Sequence, residues 1–142
     1  MDIDLNNYLL YVDKVTKLFG YGLLGLRKFK ALDEVTISLP SQEPKLFVLI
    51  GETGSGKTTL LRIILRMIAP DMGSVYYKGK NVFDMKSSDV KWYRKEVQAI
   101  FQDPYETFSP LRTIDSYLFD VSKYLLSINR KEAETLIDET LR

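Results

Sequence analysis

Five consecutive apolar residues, Leu46-Phe47-Val48-Leu49-Ile50, run directly into Gly51-Glu52-Thr53-Gly54-Ser55-Gly56-Lys57-Thr58. No other feature constrains this chain as strongly. An apolar run without alternation predicts a central strand covered on both faces, as in the parallel sheet of an α/β fold. The following segment matches G-x-x-x-x-G-K-[ST] at every required position. Glycines let the backbone turn tightly and bring its amides close to phosphate oxygens with no Cβ in the way. Beyond Thr58 and Thr59, the apolar residues Leu60, Leu61, Ile63, Ile64, Leu65, Met67 and Ile68 predict a helix stopped by Pro70. Its first-turn amides and positive dipole end would face the same phosphates. Lys57 supplies a point charge for the β- and γ-phosphates, and the Thr58 hydroxyl is a hard ligand suited to Mg²⁺. A chain of this length would match the motif by chance roughly once in two hundred tries. The flanking strand and helix make chance rarer still. The expectation is therefore a nucleoside triphosphate, in the form of MgATP, held by residues Gly51 to Thr59.

The whole chain sets the bounds. A length of 142 residues fits one domain with a real core. With 45% hydrophobic and 27% charged residues, disorder is not expected. A net charge of +1 gives no bulk attraction to nucleic acid or anionic lipid, and nucleic acid is not an expected partner. There is no cysteine and no histidine. Disulfides, thiolate nucleophiles, a Ser/His triad and imidazole metal ligands are thereby excluded within these residues. The acidic start, Met1-Asp2-Ile3-Asp4, is unlike a secretory leader, and the longest apolar stretch is far short of a membrane span. A cytoplasmic location is expected, with any work at a membrane done through a partner.

Along the chain, Leu9–Val15 predicts a first strand. Gly20–Lys30, with three glycines and the cations Arg27, Lys28 and Lys30, predicts an exposed loop. Leu32, Val35, Ile37 and Leu39 alternate as in a half-buried strand closed by Pro40. Val75–Tyr77, Val82–Phe83 and Val97–Phe101 predict short strands. Ser87–Lys95 predicts a helix. Thr113 and Asn129 are placed to cap two more helices, to about Ser127 and to Arg142.

The phosphate motif alone does not choose among kinases, GTPases and transport ATPases. Pro70-Asp71-Met72-Gly73-Ser74-Val75-Tyr76-Tyr77-Lys78-Gly79-Lys80-Asn81-Val82 resembles the stretch that follows this helix in ABC-transporter ATPase domains. Tyr93 to Tyr105, with Ile100-Phe101-Gln102-Asp103-Pro104-Tyr105, is similar to their Q-loop region, in the form found in oligopeptide and dipeptide permeases. The basic insertion before Ala31-Leu32-Asp33-Glu34-Val35 is similar to that subgroup too. The resemblance implies a P-loop ATPase core with an antiparallel β subdomain over about residues 1–102, and the start of an α-helical subdomain over about 103–142. It implies that Gln102 senses the γ-phosphate through Mg²⁺ or the attacking water. It also implies an aromatic residue stacked on adenine, with Phe19 the best match and Tyr21 and Phe29 as rivals. The implied partners are transmembrane permease subunits and a second ATPase subunit, with the chain peripheral on the inner face of the membrane.

The departures from the family pattern are specific. Ser41-Gln42-Glu43-Pro44-Lys45 stands where a Gly-Glu turn is usual. No signature of the Leu-Ser-Gly-Gly-Gln type, no apolar strand ending in Asp-Glu and no switch histidine follow Gln102. The chain therefore resembles the first half of an ATPase domain, a truncated form. Such a form would bind MgATP with little or no turnover, and its incomplete sheet would leave an apolar edge open. The competing readings are a small P-loop kinase and a non-catalytic ATP-binding module.

Overall fold

The computed structural model describes residues 4–21, 27–42, 46–102, 108–109 and 111–141. Two compact units, Met1–Val90 and Lys91–Arg142, divide the chain.

The first unit is built on two long strands, β1 (Tyr8–Tyr21) and β2 (Arg27–Pro40), preceded by a short 3-10 turn at Leu5–Asn7. With β3 (Met72–Tyr77) and β4 (Lys80–Asn81) they form an antiparallel sheet in the order β2-β1-β3-β4. Tyr11, Val12, Val15, Leu32, Val75 and Tyr77 are buried; Val75 and Tyr77 follow period-two alternation along β3, and Val12 lies directly opposite Val75. Helix α1 (Lys57–Ile64) adds Leu60 and Ile63, three apart on one helical face.

The β1–β2 pairing breaks register between Tyr8 and Leu10, Val12 and Val15, Val15 and Lys17, and Lys17 and Leu18; the middle two breaks flank Val15. Lys14 and Glu34 there adopt positive φ, 45° and 47°. Each bulged amide is satisfied across the pair: Lys14 N–H donates to Thr36 Oγ1 at 3.1 Å, and Glu34 N–H to the buried Thr16 Oγ1 at 3.0 Å. These bonds offset part of the cost of left-handed backbone at residues other than glycine.

Several elements differ from expectation. Leu46–Ile50 is not a strand. It has no ladder partner among the described residues, and Leu46 and Ile50 are 93% and 88% exposed. Its backbone groups are left to water, because an apolar pattern cannot make a strand without a neighbour to bond. Val97–Phe101 is likewise unpaired, with Ile100 98% exposed. Val82–Phe83 forms a turn after the two-residue β4, although Val82 is buried. Gly20–Lys30 is mostly strand at both ends: cross-strand pairing of Phe19 with Phe29 overrides the glycines and cations. Residues 22–26 at its centre lie outside the described residues. Helix α1 stops six residues before Pro70, because Arg66 turns left-handed (φ 57°) and its Nε donates to Val82 O at 3.0 Å.

Helix α2 (Ser87–Glu96) leads from the first unit into the second. Within the second unit, Arg94 Nη1 donates to Tyr124 Oη at 2.6 Å, and Lys91 bonds Ser127. Helix α3 (Ile114–Val121) starts at Thr113, whose side chain makes no capping bond, and continues as a π-helical turn over Ser122–Leu126. Helix α4 (Arg130–Thr140) has a complete capping box, Asn129 and Glu132 each accepting from the other's amide at 3.0 Å. Among the described residues no helix is long and apolar enough to cross a membrane.

Candidate functional site

The glycine loop is exposed from Gly51 through Ser55 and closes onto the sheet at Gly56. A turn bond from Ser55 N–H to Glu52 O (3.2 Å) tightens its middle. Gly54 and Gly56 take φ of 87° and 91°, a region costly for any side chain bearing a Cβ. Gly56 is the N-cap of α1 and packs against β2. A Cβ there would collide with the carbonyl oxygen of Ala31 and come within 2.8 Å of Leu32 Cδ2. The sequence gives no warning of this contact, since Ala31 and Gly56 are related only through the fold.

Lys57 opens the helix, so its side chain folds back into the loop. Its Nζ donates to Gly51 O and Glu52 O, both at 2.6 Å, and to Ser55 Oγ at 3.2 Å. All three ammonium protons are thus satisfied inside the loop, and the positive charge sits in its concavity. Amides in the first turn of a helix have no carbonyl behind them, which leaves Lys57, Thr58 and Thr59 able to donate outward. The helix dipole adds positive potential at the same place. An anion entering here would exchange the lysine's bonds to neutral carbonyls for charge-assisted bonds, which are roughly twice as strong.

Thr58 is exposed beside the lysine. Among the described residues no group of three acidic, His or Cys side chains could hold a metal. The Thr58 hydroxyl is one hard oxygen that the loop could offer to a cation arriving with phosphates. Gln102 is an exposed residue of the second unit, in a bend after the unpaired Val97–Phe101 segment.

Phe19 lies inside β1, opposite Phe29 of β2, with ring centroids 5.8 Å apart and Lys17 Nζ 5.7 Å from the Phe19 centroid. Phe29 is 50% exposed and stands two residues from Ala31, the point where Gly56 touches the sheet. At a strand rise near 3.3 Å per residue, that is about 7 Å along β2. The loop and one aromatic pair are therefore neighbours within the first unit. The hydrogen bond from Leu18 N–H to Asp71 Oδ2 (2.7 Å) and the Lys17–Asp71 pair (3.2 Å) tie β1 to the start of β3 beside this pair. The Leu18 amide, followed by Lys17, holds the Asp71 carboxyl below its ordinary pKa of 3.8. No sequence signal links these residues, which are 53 positions apart.

A glycine loop that caps a helix and encloses the lysine of the helix's first turn defines a phosphate-binding loop protein. The family model described as ABC transporter matches residues 32–140, and the chain belongs to that family. YkfD of Bacillus subtilis (strain 168), provisionally named an oligopeptide transport ATP-binding protein, is 33% identical over 115 residues, covering 81% of this chain and 34% of its own length. The dipeptide transport ATP-binding protein DppF of Haemophilus influenzae is 37% identical over 92 residues, covering 65% of this chain and 28% of its own. The dimeric, ADP- and Pi-bound structure of the ATP-binding cassette MJ0796 superposes with a TM-score of 0.64 at 26% identity, over 89% of this chain and 53% of that one. The fold is thus that of an ABC ATPase cassette, and the chain spans about a third of the length of the first of these relatives.

Proposed function

We propose that this chain binds MgATP as the nucleotide-binding part of an ABC transporter of the peptide-import type. The observation that carries this reading is Lys57 held at the centre of the glycine loop by Gly51, Glu52 and Ser55. In the proposed mechanism the loop amides and the first turn of α1 cradle the phosphates. Lys57 moves from the loop carbonyls to the β- and γ-phosphates. Thr58 contributes a hydroxyl ligand to Mg²⁺, with the Gln102 amide as a second oxygen and γ-phosphate sensor; the metal, when bound, neutralises charge on the phosphates. Adenine stacks at the aromatic pair on β1 and β2, where Phe19 is the family match and Phe29 the more exposed ring. Residues to about 102 form the ATP-binding core, and those from about 103 begin the helical subdomain that meets a permease subunit.

The relatives named for oligopeptide and dipeptide transport support a small peptide as the transported solute. The dimeric cassette structure supports a second ATPase subunit as partner. Turnover needs a carboxylate to orient water, and these 142 residues contain no apolar strand ending in Asp-Glu. The chain by itself is therefore expected to bind without hydrolysing.

The test is MgATP binding and turnover on one sample of wild type and Lys57→Ala. Loss of one charged hydrogen-bonding partner costs about 1.5–3 kcal/mol, or roughly 10- to 150-fold in Kd. Binding weakened to that degree, without turnover in either protein, is the expected result. Equal affinity in the two proteins would overturn the site, and steady turnover in the wild type would overturn the assignment of a non-hydrolysing chain.

A further inference from the structure

One side chain lengthens the ladder between β1 and β3. Their pairing closes at Thr16 and Met72, and Asp71 N–H donates to Thr16 O at 3.0 Å. Pro70 comes next on that side and has no N–H, so the backbone ladder stops there. The Asp71 carboxylate takes over. Its Oδ2 accepts from Leu18 N–H at 2.7 Å, where a longer strand would present a carbonyl. The same oxygen lies 3.2 Å from Lys17 Nζ. Charge-assisted bonds of this kind are roughly twice as strong as neutral ones.

The two contacts bracket Phe19. Leu18 precedes it in the chain, so the bond to the Leu18 amide sets the course of β1 as it enters residue 19. Lys17 Nζ stands 5.7 Å from the Phe19 ring centroid, within cation–π range, so fixing the ammonium also restrains the ring. Across the pair of strands, Phe29 of β2 meets Phe19 with centroids 5.8 Å apart. Gly56, at the start of α1, packs on β2 two residues from Phe29, and Asp71 lies seven residues past the end of α1 at Ile64. The aromatic pair is therefore tied to both ends of the segment that opens with the phosphate loop.

We infer that Asp71 is a positioning residue for the base: it holds the Phe19 ring in place relative to the phosphate loop, so that base and triphosphate are met together. The inference rests on the proposed stacking of adenine at the Phe19–Phe29 pair. The Leu18 amide and then Lys17 keep the carboxyl ionised at neutral pH. An ionised carboxylate repels phosphate, so Asp71 acts through Leu18 and Lys17 and not on the nucleotide itself.

Calorimetric titration with MgATP and, separately, with magnesium tripolyphosphate tests this on wild type, Asp71→Ala, Lys17→Met and Phe19→Ala. Tripolyphosphate carries three phosphates and no base, so each ligand is compared with itself across the proteins. Stacking of a base on an aromatic ring is worth about 5- to 150-fold, and Phe19→Ala should weaken MgATP to that degree with tripolyphosphate unchanged. Asp71→Ala should weaken MgATP by about tenfold and tripolyphosphate by less than about twofold, because an unplaced ring reduces only the fraction of protein ready to stack. Lys17→Met keeps the Leu18 bond and should weaken MgATP by about 2- to 5-fold, again sparing tripolyphosphate. If Asp71→Ala does not fold, Lys17→Met decides the matter in the same way. Equal losses for the two ligands would show a general role in the fold and overturn the inference, as would unchanged MgATP affinity. If Phe19→Ala still loses MgATP selectively in either case, the stacking reading survives and only the positioning role falls. An unaffected Phe19→Ala would overturn both the inference and Phe19 as the stacking ring.

Discussion

Replacing Gly54 and Gly56 by alanine separates two costs that are usually confounded at a glycine loop. Both residues have positive φ, 87° and 91°, so both substitutions put a Cβ on backbone that alanine adopts reluctantly. That strain is about 1–2 kcal/mol at each site. The surroundings differ. Nothing lies within 4 Å of a Cβ built on Gly54, whereas a Cβ on Gly56 meets the Ala31 carbonyl oxygen and comes within 2.8 Å of Leu32 Cδ2. Ala31 sits at a β1–β2 register shift, but its neighbours Lys30 and Leu32 are both paired with β1, so either β2 or the loop must shift. Overpacking of this kind adds about 1–3 kcal/mol. Gly56→Ala should therefore cost a total of about 2–5 kcal/mol against about 1–2 for Gly54→Ala. Urea unfolding measures the part felt by the fold, and MgATP titration measures the part absorbed by a displaced loop. The sum of the two losses is the quantity compared. If Gly56→Ala costs no more than Gly54→Ala by that sum, the packing of the loop on β2 is not what fixes glycine at position 56.

Other perturbations probe the fold around the site. Asp71 has its pKa held below 3.8 by the Leu18 amide and then Lys17, so its contribution to stability is full above that value and is lost as pH falls through the lowered one. Asp71→Asn should accordingly be destabilised by a constant amount near neutrality, with the gap to wild type closing below about pH 4 in urea titrations; a gap that persists in acid would refute the role of the charge. Asn129→Ala removes half of the α4 capping box and should cost about 1 kcal/mol, seen as faster amide exchange in Arg130–Ala133 while α1 is unaffected. Val48→Lys places a charge in the exposed, unpaired apolar segment and should reduce concentration-dependent self-association in sedimentation without lowering Tm. A wild type that stays monomeric at every concentration would contradict that expectation.

What was legible in the sequence follows from the range of the interactions concerned. The phosphate loop is local: Lys57 bonds residues two, five and six positions back, so spacing alone specifies the cradle. The Asn129 cap, legible in the sequence, is also local, with its box partner Glu132 three positions on. The β1–β2 bulges depend on Thr16 and Thr36 reaching across a hairpin, and the Asp71–Leu18 bond joins residues from different elements. Such contacts have no fixed spacing, and a single sequence does not display them. The outer hairpin was hidden for a related reason. Its composition is that of a loop, and only the opposition of Phe19 and Phe29 makes it a strand pair.

Leu46–Ile50 carries this reasoning one step further, because there the sequence pattern and the structure disagree outright. Five apolar residues without alternation are what a strand enclosed on both sides requires, yet the segment is unpaired among the described residues and 39–93% exposed. A helix can satisfy its own backbone, but a strand can do so only through another strand. The apolar run therefore specifies an affinity for neighbouring strands, and its conformation waits on their presence. The glycine loop begins at the end of this segment, so the supports of the loop are unequal. Its exit is fixed by Gly56 against Ala31 and by the first turn of α1, while its entry at Gly51 hangs from the unpaired run. Ordering the run in a sheet would fix Gly51 and Glu52, whose carbonyls hold Lys57, and would thereby couple the completeness of the sheet to the readiness of the phosphate site.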